Sequence, residues 1–168
     1  MAQSQDSNAL LDLSMLESIR GARVAIVYTE WNDKITTEQN AGAERILNKL
    51  ECSITHKMAV PGSFELPYAC KQLFEATQHS DNAPEAIIAF GAVIRGGTPH
   101  FEYVCKAVTE GITLLNTTLP IPVIFGVLTL DNEQQAWERL GGAHGHKGEE
   151  AAITALKMIQ FNRNLNIK

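Results

Sequence analysis

Hydrophobic positions change period regularly along the chain. Val24-Ala25-Ile26-Val27-Tyr28 is a continuous apolar run, as expected of a strand covered on both faces. Trp31-Asn32-Asp33 reads as a turn, and Ala43, Ile46, Leu47 and Leu50 then follow the i, i+3, i+4, i+7 spacing of a helix. Ser53 to Val60 is a second strand candidate, closed by Pro61-Gly62. Leu66, Ala69, Cys70, Leu73 and Phe74 return to helical spacing. The polar segment His79 to Pro84 is a turn leading into Ala86-Ile87-Ile88-Ala89-Phe90, the clearest buried strand. Gly91 to Gly97 reads as a glycine-bearing connection. Phe101, Val104, Cys105, Val108, Ile112 and Leu115 then mark a long amphipathic helix. Pro120 closes it, and Val123-Ile124-Phe125-Gly126-Val127 is the fourth strand. Asp131 and Gln134 have the spacing of a capping box for a short helix ending at Gly141-Gly142. A last helix runs from about Lys147, with Ala152, Ala155, Leu156 and Ile159 on one face.

Strands alternating with helices imply parallel pairing and right-handed crossovers, hence an α/β fold: a three-layer α/β/α sandwich on a four-stranded parallel sheet. Residues 1–20 are polar and weakly patterned and read as an arm before a single domain, 21–168. Ligands of such sheets bind at the carboxyl ends of the strands. The distinctive loops all fall there: Thr29 to Asp33, Pro61 to Glu65, Gly91 to His100 and Thr129 to Asp131.

Composition narrows the function classes. The chain has 168 residues, 45% apolar and 20% charged, the balance of one globular domain with a sizeable core. Its net charge of −5, with no basic run, argues against a nucleic-acid partner. The longest apolar stretches, Ala86 to Ile94 and Leu119 to Leu130, fall short of the roughly 20 residues that span a bilayer. The N-terminus lacks a secretory pattern, and Cys52, Cys70 and Cys105 are odd in number without a CxxC pair. These features predict reduced, buried thiols in a cytoplasmic protein.

Arg95-Gly96-Gly97-Thr98-Pro99-His100 follows a strand and opens a helix. Gly96 and Gly97 permit close backbone approach, Thr98 can cap, and free amides at a helix start suit a phosphate; a tight turn without a ligand is the plainer alternative. His100 lies on the first turn at the strand end, where a proton-transfer group belongs, or is simply an exposed histidine. Trp31 can stack on a flat heterocycle or pack under its own loop. Glu65 can accept from ligand hydroxyls or merely favour a helix start. Arg139 and Lys147 flank the Gly141-Gly142 turn and can hold an anion, or be solvated charges. His144-Gly145-His146 has no third ligand at metal spacing and is better read as a glycine-rich interhelical turn. Ser63 is not in a GxSxG setting and Cys105 sits on an apolar helix face, so no nucleophile stands out.

Several segments, taken in order, resemble the lumazine synthases, riboflavin-pathway enzymes that form 6,7-dimethyl-8-ribityllumazine. They are Val60 to Pro67 (VPGSFELP), Gly91 to Val104 (GAVIRGGTPHFEYV), Pro122 to Thr129 (PVIFGVLT) and Glu133 to Arg139 (EQQAWER). The likeness runs from about Ala22 to Phe161 with matching spacing. The chain departs in having His146-Lys147-Gly148 where the family often has Asn-Lys-Gly, and Trp31 where Phe is commoner.

The resemblance implies a flavodoxin-like fold and condensation of 5-amino-6-ribitylaminouracil with 3,4-dihydroxy-2-butanone 4-phosphate, without metal or organic cofactor. By position, Trp31 would stack on the pyrimidinedione ring, and Ser63 and Phe64 would supply backbone contacts. Glu65 would bind ribityl hydroxyls, and Ala92, Val93 and Ile94 would give main-chain hydrogen bonds. Gly97, Thr98 and Arg139 would hold the phosphate with Lys147 nearby, and His100 would transfer protons. Phe125 and Arg139 would come from a neighbouring subunit. The implied assembly is a homo-pentamer, extending to a shell of twelve pentamers that could associate with riboflavin synthase, with the N-terminal arm adding an edge strand to a neighbour's sheet. The rival reading is a catalytically silent flavin- or lumazine-binding shell protein of the same fold.

Overall fold

The computed structural model describes residue 16 and residues 19–165. The elements run β1 (Arg23–Thr29), α1 (Asp33–Lys49), β2 (Ser53–Val60), a 3-10 turn (Ser63–Glu65), α2 (Leu66–Thr77), β3 (Ala86–Ile94) and α3 (His100–Thr118). They continue with β4 (Val123–Leu130), α4 (Gln134–Trp137), β5 (Leu140–Gly142), β6 (Gly145–His146) and α5 (Lys147–Asn164). Strands β2-β1-β3-β4 form one parallel sheet in that order, the three-layer α/β arrangement expected.

The continuous apolar runs are divided between two faces by the two-residue period of a strand. Val24, Ile26, Ile88 and Phe90 meet Ala43, Leu47, Ala152 and Leu156 of α1 and α5. Ala25, Val27, Ile87 and Ala89 meet Cys70, Val108 and Ile112 of α2 and α3. Leu16 and Ile19, inside the expected arm, are buried in the α1/α5 core; most of the arm, including its proposed strand exchange, lies outside the described residues.

Three local expectations shift. Gly91 does not end β3: pairing with β4 carries the strand on from Gly91↔Val127 to Ile94↔Leu130, so the connection is confined to residues 95–99 and β4 runs past Val127. The pairing of two buried strands overrides the weak strand preference of glycine. The capping box expected of Asp131 and Gln134 does not form, and the N-cap of α4 is Glu133 with no side-chain cap. Just before it, Asn132 accepts from the Gln135 amide (3.1 Å), and the Gln135 side chain accepts from the Asp131 amide (2.9 Å). Finally, Gly141 to His146 is an antiparallel hairpin of β5 and β6 rather than an interhelical turn. Its glycines Gly141 (φ 107°) and Gly145 (φ 73°) occupy left-handed backbone that other residues rarely adopt.

Candidate active site

At the carboxyl ends of the strands, β3 outruns β1. The β1–β3 ladder stops at Tyr28↔Phe90, so the β1-facing edge of β3 beyond Phe90 has no strand beside it. A cleft of about 630 Å³ opens there. Its walls bring together Trp31, Ser63, Phe64, Glu65, Ala92, Val93, Ile94 and His100, eight of the residues singled out from the sequence.

Each wall has a local cause. Trp31 is 70% exposed and Phe64 is 59% exposed, large apolar surfaces left to solvent at the mouth. Trp31 is held out by Asn32, which takes left-handed backbone (φ 61°) and whose amide Nδ2 donates to the Ala92 carbonyl at 2.8 Å. Asn tolerates this conformation better than most residues. Asn32 lines the cleft and was missed as a site residue; an Asn between Trp and Asp in a turn was the available signal. Gly62 also belongs here, because a Cβ there would touch Trp31 Cε3 at 3.4 Å and Glu65 Oε2 at 3.2 Å. Ser63 is buried, its hydroxyl so close to Gly91 that a Cβ on Gly91 would lie 2.6 Å from it.

His100 opens α3 and is exposed on the cleft wall beside Val104. Pro99 occupies the N-cap and no side chain caps the helix, so Thr98 does not play the capping role expected of it. Arg95 anchors this loop instead. Its guanidinium meets Glu102 and Asp131 (3.0 Å to Asp131 Oδ1) and lies 4.1 Å from the centre of the Phe101 ring. The hydrogen bond from Arg95 holds the Glu102 carboxyl below its usual range.

Gly97 and Thr98 are exposed on the rim, outside the cleft wall. Neither Gly96 nor Gly97 has a left-handed φ, and a Cβ on either would meet nothing within 4 Å. The fold therefore makes no demand for glycine there, while the open space in front of the backbone suits a ligand approaching it. Gly97→Ala should leave the melting temperature unchanged and raise KM for a phosphate-bearing substrate, up to about tenfold for a lost hydrogen bond to a charged group. Steady-state kinetics beside a thermal melt checks it.

The remaining residues lie elsewhere. Phe125, Arg139 and Lys147 line a separate groove of about 160 Å³ along the end of β4. Arg139 Nη1 donates to the Gln135 carbonyl at 3.0 Å, and the Lys147 ammonium is paired with Glu150 at 2.7 Å with both side chains largely buried. Cys52 and Cys70 are buried and Cys105 half-buried, all free; burial pushes the Cys70 thiol up to about 12, far from a reactive thiolate. Among the described residues no group of three or more His, Cys, Asp or Glu is placed to hold a metal, and no helix is long and apolar enough to cross a membrane.

The sequence profile of the 6,7-dimethyl-8-ribityllumazine synthases matches residues 21–163. The chain belongs to that family. It is 42% identical over 164 residues to the 6,7-dimethyl-8-ribityllumazine synthase of Parabacteroides distasonis, covering 96% of this chain and 99% of the relative. It is 49% identical over 143 residues to that of Porphyromonas gingivalis (84% and 86%), and 48% identical over 147 residues to that of Bacteroides fragilis (86% and 99%). Of the two grooves, one presents aromatic and main-chain surface, the other two cations beside an aromatic ring.

Proposed function

We propose that the protein is an active lumazine synthase, a transferase that condenses 5-amino-6-ribitylaminouracil with 3,4-dihydroxy-2-butanone 4-phosphate and releases phosphate and water. The observation that carries this reading is the convergence of Trp31, the open edge of β3 and His100 on one cleft in a chain of this family. Trp31 offers its face to the pyrimidinedione ring. Ala92, Val93 and Ile94 present main-chain groups to the ring edge, Ser63 and Phe64 add backbone contacts, and Glu65 accepts from the ribityl hydroxyls. Gly97, Thr98, Arg139 and Lys147 hold the phosphate.

The chemistry consists of imine formation, phosphate elimination, ring closure and dehydration, steps that need protons moved more than a nucleophile. His100 moves them. Holding both substrates in one cleft supplies much of the remaining rate. A silent binding shell is not favoured, since a lapsed enzyme need not keep His100, Arg139 and the Gly97-Thr98 sequence.

Each complete site is assembled from two subunits. The support is that Phe125, Arg139 and Lys147 line a different groove from His100 and Trp31, so a neighbour's second groove has to face the first cleft. This reading makes the protein a cytoplasmic homo-pentamer, closing into a shell of twelve pentamers with which riboflavin synthase can associate, its domain 21–168 preceded by an arm that pairs with a neighbour's sheet.

Mixing the purified protein with both substrates and following lumazine absorbance against a no-enzyme control tests the activity; no rate above background removes it. Co-expressing His100→Ala with Arg139→Ala chains tests the shared site. Random mixing leaves about a quarter of the sites with both residues, so activity should return towards about a quarter of wild type. Activity no higher than the average of the two variants overturns the intersubunit site.

A further inference from the structure

We propose that His146 is a positioning residue: lying on the bare backbone of α1 at Gly42, it sets Lys147 and Arg139 for the anionic substrate. This role rests on the assignment of those two cations to the phosphate.

His146 ends β6 and caps α5, and its side chain is only 8% exposed. The ring is fixed on three sides. Nδ1 accepts from the Glu149 amide at 3.3 Å, which places the proton of the neutral ring on Nε2, and Nε2 donates to Glu38 Oε1 at 3.1 Å. Beneath it, a Cβ on Gly42 would fall less than 3.0 Å from Cε1 and Nδ1, so only a glycine in α1 leaves room for the ring. Arg45 closes the set, bonding Glu38 at 3.3 Å and Glu149 at 3.1 Å.

What the ring holds is the backbone that carries the cations. Leu140 pairs with His146 across the hairpin, and the Lys147 amide donates to the Arg139 carbonyl at 2.8 Å. Displacing the ring therefore moves Arg139 and Lys147 together. Two neighbouring contacts use the same stretch of α1. Gly148 packs directly against the Gln39 carbonyl, and Gln39 Nε2 donates to the Gly126 carbonyl, next to Phe125, at 2.6 Å. One helix thus registers the aromatic and both cations of the second groove.

A double-mutant cycle tests this on the full-length protein. Gly42→Ala should lower the melting temperature and raise KM for the butanone phosphate by up to about a hundredfold, the loss a shift of about 1 Å can cause, while KM for the pyrimidine stays unchanged. His146→Asn keeps an acceptor for the Glu149 amide, because Asn is a strong N-cap, and should have a smaller effect. With Asn at 146 the added methyl has room. Gly42→Ala should then raise the melting temperature through better helix propensity and add nothing to KM. Additive effects in the cycle, or equal changes in both KM values, overturn the proposal. A wild-type protein without turnover removes the functional reading and this role with it; an active wild type indifferent to Gly42→Ala removes this role alone.

Discussion

His100→Ala lowers kcat about a hundredfold, the lower end of what a positioned acid-base group contributes. The lower end is expected because the substrate proximity proposed for the cleft of Trp31 and the β3 edge survives the substitution. Since His100 is exposed on the first turn of α3 and no side chain caps that helix, the folded state should change by no more than about 0.5 kcal/mol. Steady-state kinetics on both substrates, with a thermal melt as control, separates the two effects. The loss should fall on kcat with little change in either KM. Turnover close to wild type would remove His100 from proton transfer and leave the cleft working by proximity alone.

Phe90→Ala has the largest expected effect on stability, about 3–5 kcal/mol. Phe90 is fully buried among Ile26, Leu47, Ile124 and Leu156, between the sheet and the α1/α5 layer. Its ring also fills the space beside Gly126, where a Cβ would come within 2.5 Å of Phe90 Cδ1. Truncation leaves a cavity walled by β1 and β4 on one side and by α1 and α5 on the other, and the sheet side cannot close on it without breaking ladder hydrogen bonds. Against a typical total of about 5–15 kcal/mol, such a loss is a large fraction of the stability. Thermal unfolding at fixed protein concentration measures it, the concentration held constant because assembly shifts the apparent midpoint. A drop below about 1 kcal/mol would mean that the core closes around the missing ring.

The two substitutions mark what different parts of the sequence encode. Strand runs such as Val24 to Tyr28 and Ala86 to Phe90, and the helical spacing from Phe101 to Leu115, were legible because periodicity reports which faces are apolar. Alternation of these elements led to the parallel sheet, and the sheet to the loops at its carboxyl ends. That is why Trp31, Ser63, Glu65 and His100, far apart in the chain, could be assigned to one region before any contact was known.

Tertiary structure decided what periodicity does not report, namely which backbone meets which across the layers. Gly91 looks like a break in the sequence, yet pairing with Val127 keeps it in the strand and leaves an unpaired edge beyond it. Asn32 reaches the Ala92 carbonyl across 60 positions, and His146 reaches Glu38 across 108. Neither partner carries a local signal, because a hydrogen bond between layers depends on where two elements are packed and not on the pattern of either. The separation of Phe125, Arg139 and Lys147 from the first cleft is of the same kind: residue types placed Arg139 and Lys147 near each other, and only the placement of β4 and the β5–β6 hairpin put these residues in a second groove.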